Sequence, residues 1–259
     1  MTVVVAFFCS DGVVIAADSM ITPRMGNVNV GHHHGKKIYM TAGPQVHAFA
    51  GDPGQSDRFK MIAELNSANA ANFQMPLQYT LDLTAKFVQQ LIATGLQNAL
   101  DLNTILAFAH GGEHRCCVFE GLMQPRLLDE NHFYVALGSG KLSADPFLRF
   151  LVDIFCKNGH PKVSEAIFLA TWTIQHVIDT NSGGVAGPIR ITTFKKDDAG
   201  AFQAHELTDN ERAEHEEAME SAIDALISWH DKMKAGPAAP QENAAPPIPE
   251  PPPPGVQAN

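Results

Sequence analysis

The opening segment TVVVAFFCSDGVVIAA, Thr2 to Ala17, constrains the fold more than any other stretch. Thr2 to Cys9 is rich in Val and Phe, Ser10-Asp11-Gly12 is a turn signal, and Val13 to Ala17 is a second apolar run. The expected product is a β-hairpin. Neither run alternates apolar with polar residues, so both faces of the hairpin must be covered. A sheet buried on both sides needs a layer above it and a layer below it.

The rest of the chain supplies such layers. A polar, Gly-containing stretch runs from Ser19 to Gly35. Ile38 to Thr41 and Val46 to Ala50 then read as a second hairpin around Ala42-Gly43-Pro44. Pro53 suits a helix start, with helical spacing to about Asn69. Leu81, Leu83, Phe87, Val88, Leu91, Ile92 and Leu96 recur at helical spacing, predicting a helix from Leu77 to Leu100. Strands are expected at Thr104 to His110, Arg115 to Glu120 and Phe133 to Leu137. Helices are expected at Leu142 to Lys157 and Val163 to Ile178. Ile189 to Phe194 and Phe202 to Glu206 close the strand set. The order implies strand layers covered by helices, an α+β class with a four-layer arrangement.

Thr208 and Glu211 have capping-box spacing at the start of a last helix. Its stripe is Met219, Ala222, Ile223, Leu226, Ile227, His230 and Met233. Beyond Gly236 the sequence is Pro/Ala-rich and reads as disordered or polyproline-like. The expected plan is a main domain over residues 1–207, an amphipathic helix over 208–235 and a tail over 236–259.

Composition excludes several functions. The chain has 259 residues, 45% hydrophobic and 18% charged, with a formal net charge of −10. An acidic chain without a Lys/Arg run is a poor nucleic-acid binder. Cys9, Cys116, Cys117 and Cys156 show no CxxC pair, which argues against zinc and for reduced thiols in the cytoplasm. The N-terminus lacks a basic flank and meets Asp11 early, so it reads as a strand and not a signal peptide. No apolar run approaches the roughly 20 residues that span a bilayer.

The second residue carries the chemistry. An initiator Met is removed when a small residue follows, and Thr2 qualifies. An N-terminal threonine holds a hydroxyl nucleophile and an α-amine base in one residue. The amine titrates at roughly 8, close to the working pH. Taken alone, a Met-Thr start says little.

The following segments add specificity. TVVVAFFCSDGVVIAADS, GKKIY, AFAGDPGQSD, YVALGSG and DTNSGG occur in this order. Together they resemble the motifs of the proteasome β-subunit and HslV-like family of N-terminal-nucleophile hydrolases. The resemblance spans residues 2 to about 190 and is nearest to the betaproteobacterial proteasome-homologue branch. It implies a four-layer αββα sandwich. It makes Thr2 the nucleophile, Asp18 its acidic partner and Lys37, not Lys36, the active-site lysine. Gly51 becomes the oxyanion-hole glycine, and Ser139, Asp179 and Ser182 the accessory residues.

The implied roles make physical sense. A Lys37 ammonium beside the Thr2 hydroxyl favours the alkoxide and lowers the pKa of the neighbouring amine. Asp18 keeps Lys37 charged and oriented. Asp179 fixes the region of the Thr2 amine, and Ser139 and Ser182 complete the network. An oxyanion donor such as the Gly51 N–H is worth on the order of 3 kcal/mol in the barrier. A glycine there leaves room for the substrate backbone. Phe49 lies where the family lines its main specificity pocket, and its bulk predicts small side chains before the scissile bond. Met20 stands where many active subunits carry Arg. The start at Met1 suggests processing by Met removal alone.

The implied activity is cleavage of polypeptides through an acyl-enzyme, without a cofactor. The implied assembly is a homo-oligomeric stacked double ring, heptameric in expectation, with the sites inside. An ATP-dependent unfoldase is the implied partner, and neither nucleic acid nor membrane is expected. The rival reading is a catalytically silent ring-forming scaffold of the same fold. A related hydrolase of small amides is a third. His32-His33-His34 reads as a solvated loop, Cys116-Cys117 as strand packing and Trp172 as helix core.

Overall fold

The computed structural model describes residues 2–22, 24–25, 28–96, 99–181 and 184–234. Met1, Ser182 and the tail expected over 236–259 lie outside the described residues.

The strands are β1 (Val4–Phe8), β2 (Gly12–Ala17), β3 (Met20–Ile21), β4 (Arg24–Met25), β5 (Val28–Asn29), β6 (His33–His34), β7 (Ile38–Met40), β8 (Gln45–Gly51), β9 (Leu102–His110), β10 (Glu113–Glu120), β11 (Gln124–Leu127), β12 (Tyr134–Leu137), β13 (Arg190–Lys196) and β14 (Phe202–Glu206). The helices are α1 (Pro53–Asn66), α2 (Pro76–Ala93), α3 (Lys141–Phe155), α4 (Val163–Thr180) and α5 (Asp209–Lys234), with a 3-10 turn at Ser67–Asn72. The fold is mixed α/β.

The opening hairpin forms as expected, with Phe8 opposite Val13 and Val4 opposite Ala17. It sits inside a five-stranded sheet of order β12-β1-β2-β13-β14. The second hairpin, β7 and β8, ends a five-stranded sheet of order β11-β10-β9-β8-β7. Every residue of β1 and β2 is buried, which is why neither strand alternates in sequence. One hydrophobic cluster joins β1 and β2 to Val46 and Ala48 of β8, to Ile105 and Ala107 of β9, and to α3 and α4. A second joins Phe49, Leu106, Phe108 and Phe119 of the other sheet to Phe59 of α1 and to Leu83 and Phe87 of α2. Cys116 belongs to the first cluster and Cys117 to the second, as strand alternation requires. Burial pushes both thiols up, Cys117 to about 12, so neither is a reactive thiolate.

Differences from the sequence expectation lie at element ends and in short additional strands. α2 stops at Ala93 because Gly95 turns left-handed, with φ +70°. β11 was not foreseen; it carries Pro125 and pairs with β10 at the sheet edge, where proline costs no ladder bond. The polar stretch before β7 holds the short pairs β3·β6 and β4·β5.

The chain divides into two compact units, Met1–Met219 and Glu220–Asn259. At the start of α5, Thr208 N–H donates to Glu211 Oε2 at 2.7 Å and Glu211 N–H to Thr208 Oγ1 at 3.3 Å, a reciprocal capping box. Within the second unit the structure describes helix only, and Leu226, Ile227, Trp229 and Met233 are exposed there.

Candidate active site

Asp18 follows the last residue of β2 and is 1% exposed, while Lys37 precedes β7 and is 3% exposed. Lys37 Nζ donates to Asp18 Oδ1 at 2.7 Å. The same oxygen accepts the Val3 N–H at 2.9 Å, and Oδ2 accepts the Met20 N–H at 3.1 Å. The residue at position 20 therefore serves Asp18 through its backbone, whatever its side chain. Lys36 points the other way, to Glu206 at 2.7 Å, with 44% of its side chain exposed. Adjacent residues of an extended segment face opposite sides, so only one lysine of the pair enters the interior.

Burial pushes the Asp18 carboxyl up and Lys37 down, because each charge has lost water. Their mutual attraction, and the two N–H donors on Asp18, oppose both shifts. Removing one member of such a pair strands the other and costs about 3–5 kcal/mol.

Thr2 immediately precedes this network. Its nitrogen donates to Ser139 Oγ at 3.1 Å. In the full chain that nitrogen belongs to the Met1–Thr2 amide; once Met1 is removed it is the α-amine. The Thr2 carbonyl accepts the Gly140 N–H at 3.0 Å. Gly138 has φ +88°, and a Cβ there would collide with the Thr2 carbonyl oxygen. A Cβ on Gly140 would press on Val3. The turn between β12 and α3 thus cradles the Thr2 backbone, and both flanking glycines are needed for it. The sequence motif contained these glycines, but their fit against Thr2 becomes visible only in three dimensions. The same is true of the Val3 and Met20 amides.

Ala50 lies against Gly138, so the end of β8 borders the same turn. Gly51 follows, exposed and with φ +125°. A side chain at Gly51 would collide with the Asp101 carbonyl. The glycine is therefore enforced by the crossing of the β9 lead-in and not only by clearance for a ligand. Asp179 sits exposed in the last turn of α4, where its carboxylate accepts from Gln175 at 2.8 Å. Ser139 thus meets Thr2, while Asp18 and Lys37 are bonded to each other and, through Asp18, to the next residue, Val3; Asp179 is turned to another partner.

Phe49 is 4% exposed and stacks on His47 and on Tyr39 across β7. His47 is fully buried, and neither ring nitrogen has a partner among the described residues. Burial holds its pKa down at about 3, so the ring is neutral. His33 and His34 form β6, with His32 Nδ1 3.0 Å from Thr22 Oγ1 and His34 Nδ1 3.4 Å from Ser19 Oγ. Among the described residues, no group of three His, Cys, Asp or Glu is placed to hold a metal. No described helix is long and apolar enough to cross a membrane.

No protein-family model and no curated protein matches the sequence. Solved structures do. An Anbu (Gly-1) mutant from Hyphomicrobium sp. strain MC1 is 18% identical, with a TM-score of 0.66 over 90% of this chain and 100% of that one. Anbu (ancestral beta-subunit) from Yersinia bercovieri is 16% identical, with a TM-score of 0.66 over 92% of this chain and 99% of that one. The fold is proteasome-like. The helical assembly of the Anbu complex from Pseudomonas aeruginosa agrees, at 16% identity and a TM-score of 0.65 over 93% of this chain and 99% of that one. At such identities the likeness is one of fold.

Chemically, the arrangement offers a threonine hydroxyl beside its own nitrogen, a desolvated cation held by a carboxylate, and a glycine N–H at a strand end. That set suits nucleophilic attack on a carbonyl.

Proposed function

We propose that the chain is a threonine endopeptidase of the N-terminal-nucleophile type, built as a four-layer αββα sandwich. The observation that carries the reading is the buried Asp18–Lys37 pair tied through the Val3 N–H to the residue after Thr2. After Met1 removal the Thr2 amine, held by Ser139, takes the hydroxyl proton directly or through water. Lys37 retains donors beyond the one spent on Asp18, and these stabilise the Thr2 alkoxide. Oγ attacks the peptide carbonyl, the oxyanion forms toward the Gly51 N–H, and the amine protonates the leaving group. Water then hydrolyses the ester on Thr2 by the reverse use of the amine. Ser182 and Asp179 are proposed to complete the network around the amine, Asp179 after leaving Gln175. Phe49 restricts the residue before the scissile bond to small side chains.

The proposed assembly is a stacked homo-oligomeric double ring of seven-membered rings enclosing the sites and fed with unfolded polypeptide by an ATP-dependent unfoldase. A repeated head-to-tail contact closes into a ring or opens into a helix depending on its rotation. The Pseudomonas relative is titled a helical assembly. Electron micrographs of the purified chain decide between the two. Within the proteasome-like group, the helix and Pro-rich sequence that follow the last motif favour the betaproteobacterial branch.

The test is a peptidase assay with internally quenched peptides on the purified assembly. Thr2→Ala should abolish cleavage and Thr2→Ser retain part of it. Cleavage that survives Thr2→Ala sinks the reading. The position of Asp179, bonded to Gln175, favours a second reading as a silent ring scaffold. That reading predicts assembly without peptidase activity in the unaltered chain.

A further inference from the structure

A cleft of about 400 Å³ lies beside the buried ion pair, lined by Ser19, His34, Gly35, Lys36, Pro188, Arg190 and Glu206. Ser19 follows Asp18 and Lys36 precedes Lys37, and the Gly35 N–H donates to the Ser19 carbonyl at 2.8 Å. The cleft walls therefore include the chain neighbours of the two charged site residues, Ser19 buried and Lys36 reaching solvent. Val3 N lies 2.9 Å from Asp18 Oδ1. Chain spacing then puts the near wall of the cleft within on the order of 10 Å of Thr2.

The charges in the cleft are not balanced. Lys36 is committed to Glu206 Oε2 at 2.7 Å. Arg190 approaches Glu206 Oε1 only at 3.7 Å, beyond hydrogen-bonding reach, and 43% of its side chain is exposed. Two cations face one carboxylate, which leaves one net positive charge, carried by a guanidinium that makes no hydrogen bond through its planar fork among the described residues. Such a fork matches a carboxylate in two parallel hydrogen bonds. Glu206 holds Lys36 in place and limits the cleft to a single anionic guest.

We propose that this cleft is a substrate subsite for one peptide carboxylate, with Arg190 as its specificity-determining residue. The carboxylate belongs either to an Asp or Glu side chain near the scissile bond or to the free C-terminus of a short peptide. This rests on the peptidase reading above, since it places a bound polypeptide across the neighbouring site.

The test separates binding from cleavage by using the full-length, assembled Thr2→Ala protein and fluorescence anisotropy of labelled peptides. One arm compares Glu with Gln within an amidated peptide. The other compares free and amidated C-termini on the Gln peptide. In at least one arm the carboxylate form should bind about tenfold tighter, and the advantage should shrink with added salt. Arg190→Gln should remove the difference and leave the Kd of the neutral peptide unchanged. Arg190→Lys should keep part of it, which guards against a misfolded Gln variant. Equal Kd values in both arms, absence of binding in both, or a preference that survives Arg190→Gln overturns the proposal. Failure of the unaltered protein to cleave any peptide would instead remove the peptidase reading, with the binding result standing separately.

Discussion

Two sets of buried polar groups differ in how they are satisfied. Asp18 and Lys37 are charged groups at the start of the interior, and the Asp18 carboxylate is surrounded by three donors. Gln45 and His47 of β8 and Ser56 of α1 form the other set, in which both His47 nitrogens, Gln45 Oε1 and Ser56 Oγ lack partners among the described residues. A charge in that second place would be prohibitively unfavourable, and the ring stays neutral among Tyr39, Phe49 and Phe59. Among the described residues, the buried Asp and Lys side chains are Asp18 and Lys37, each held by the other in a bonded network. In the second set, His47 and Phe59 act as packing beneath Phe49.

The largest expected contrast follows from substituting each region with an apolar residue. Lys37→Met leaves Asp18 buried without its counter-charge and should destabilise by about 3–5 kcal/mol in urea unfolding. Asp18→Asn combined with Lys37→Met should recover much of that loss without restoring peptidase activity. His47→Met removes only unpaired atoms and should be near neutral or stabilising. Equal losses for Lys37→Met and His47→Met would erase the distinction.

Next in size is the Thr2 cradle. Gly138→Ala forces a left-handed alanine against the Thr2 carbonyl. It should cost roughly 1–3 kcal/mol of stability and, by displacing Thr2, on the order of 100-fold in kcat/KM. Gly111, also left-handed but with open space around it, serves as the control for strain without collision. A Gly111→Ala variant should fold less stably and keep its rate.

A smaller effect separates the regions by pH. The folded state holds His47 neutral down to about 3, whereas the unfolded chain takes up the proton near its ordinary 6.5. Stability is therefore full above pH 6.5 and declines as pH falls toward 3, by at most about 1.4 kcal/mol per pH unit from this group. His47→Met should flatten that part of the urea-midpoint profile. An unchanged slope would place the acid sensitivity elsewhere. The smallest effect belongs to the α5 cap. Bonds from Thr208 hold the Glu211 carboxyl down at about 2, against an ordinary 4.5. Its contribution is present above pH 4.5 and is lost as pH falls through 2, so Glu211→Gln should remove that acid step from the helical circular dichroism signal.

Much of this was legible in the sequence. The doubly apolar runs at β1 and β2 announced a hairpin covered on both faces, and the capping-box spacing located the α5 start. The inward choice between Lys36 and Lys37 was not readable from the residues alone, because it depends on register across β7. The resemblance selected Lys37, and that residue is the buried one. The collision that demands Gly138 involves residues far apart in sequence, so the motif showed a glycine without its reason. A lone His in an apolar strand gave no sign that both its nitrogens would go unpaired. The Asp179 placement was equally hidden, since Gln175 one helical turn earlier competes for its carboxylate.

The most direct test of the central claim is the intact mass of the purified protein with and without an epoxyketone or β-lactone inhibitor. The account predicts a mass lacking Met1 and a single covalent adduct per chain that disappears in Thr2→Ala. Retained Met1 with no adduct would contradict it and leave a proteasome-like fold without a nucleophile at its site.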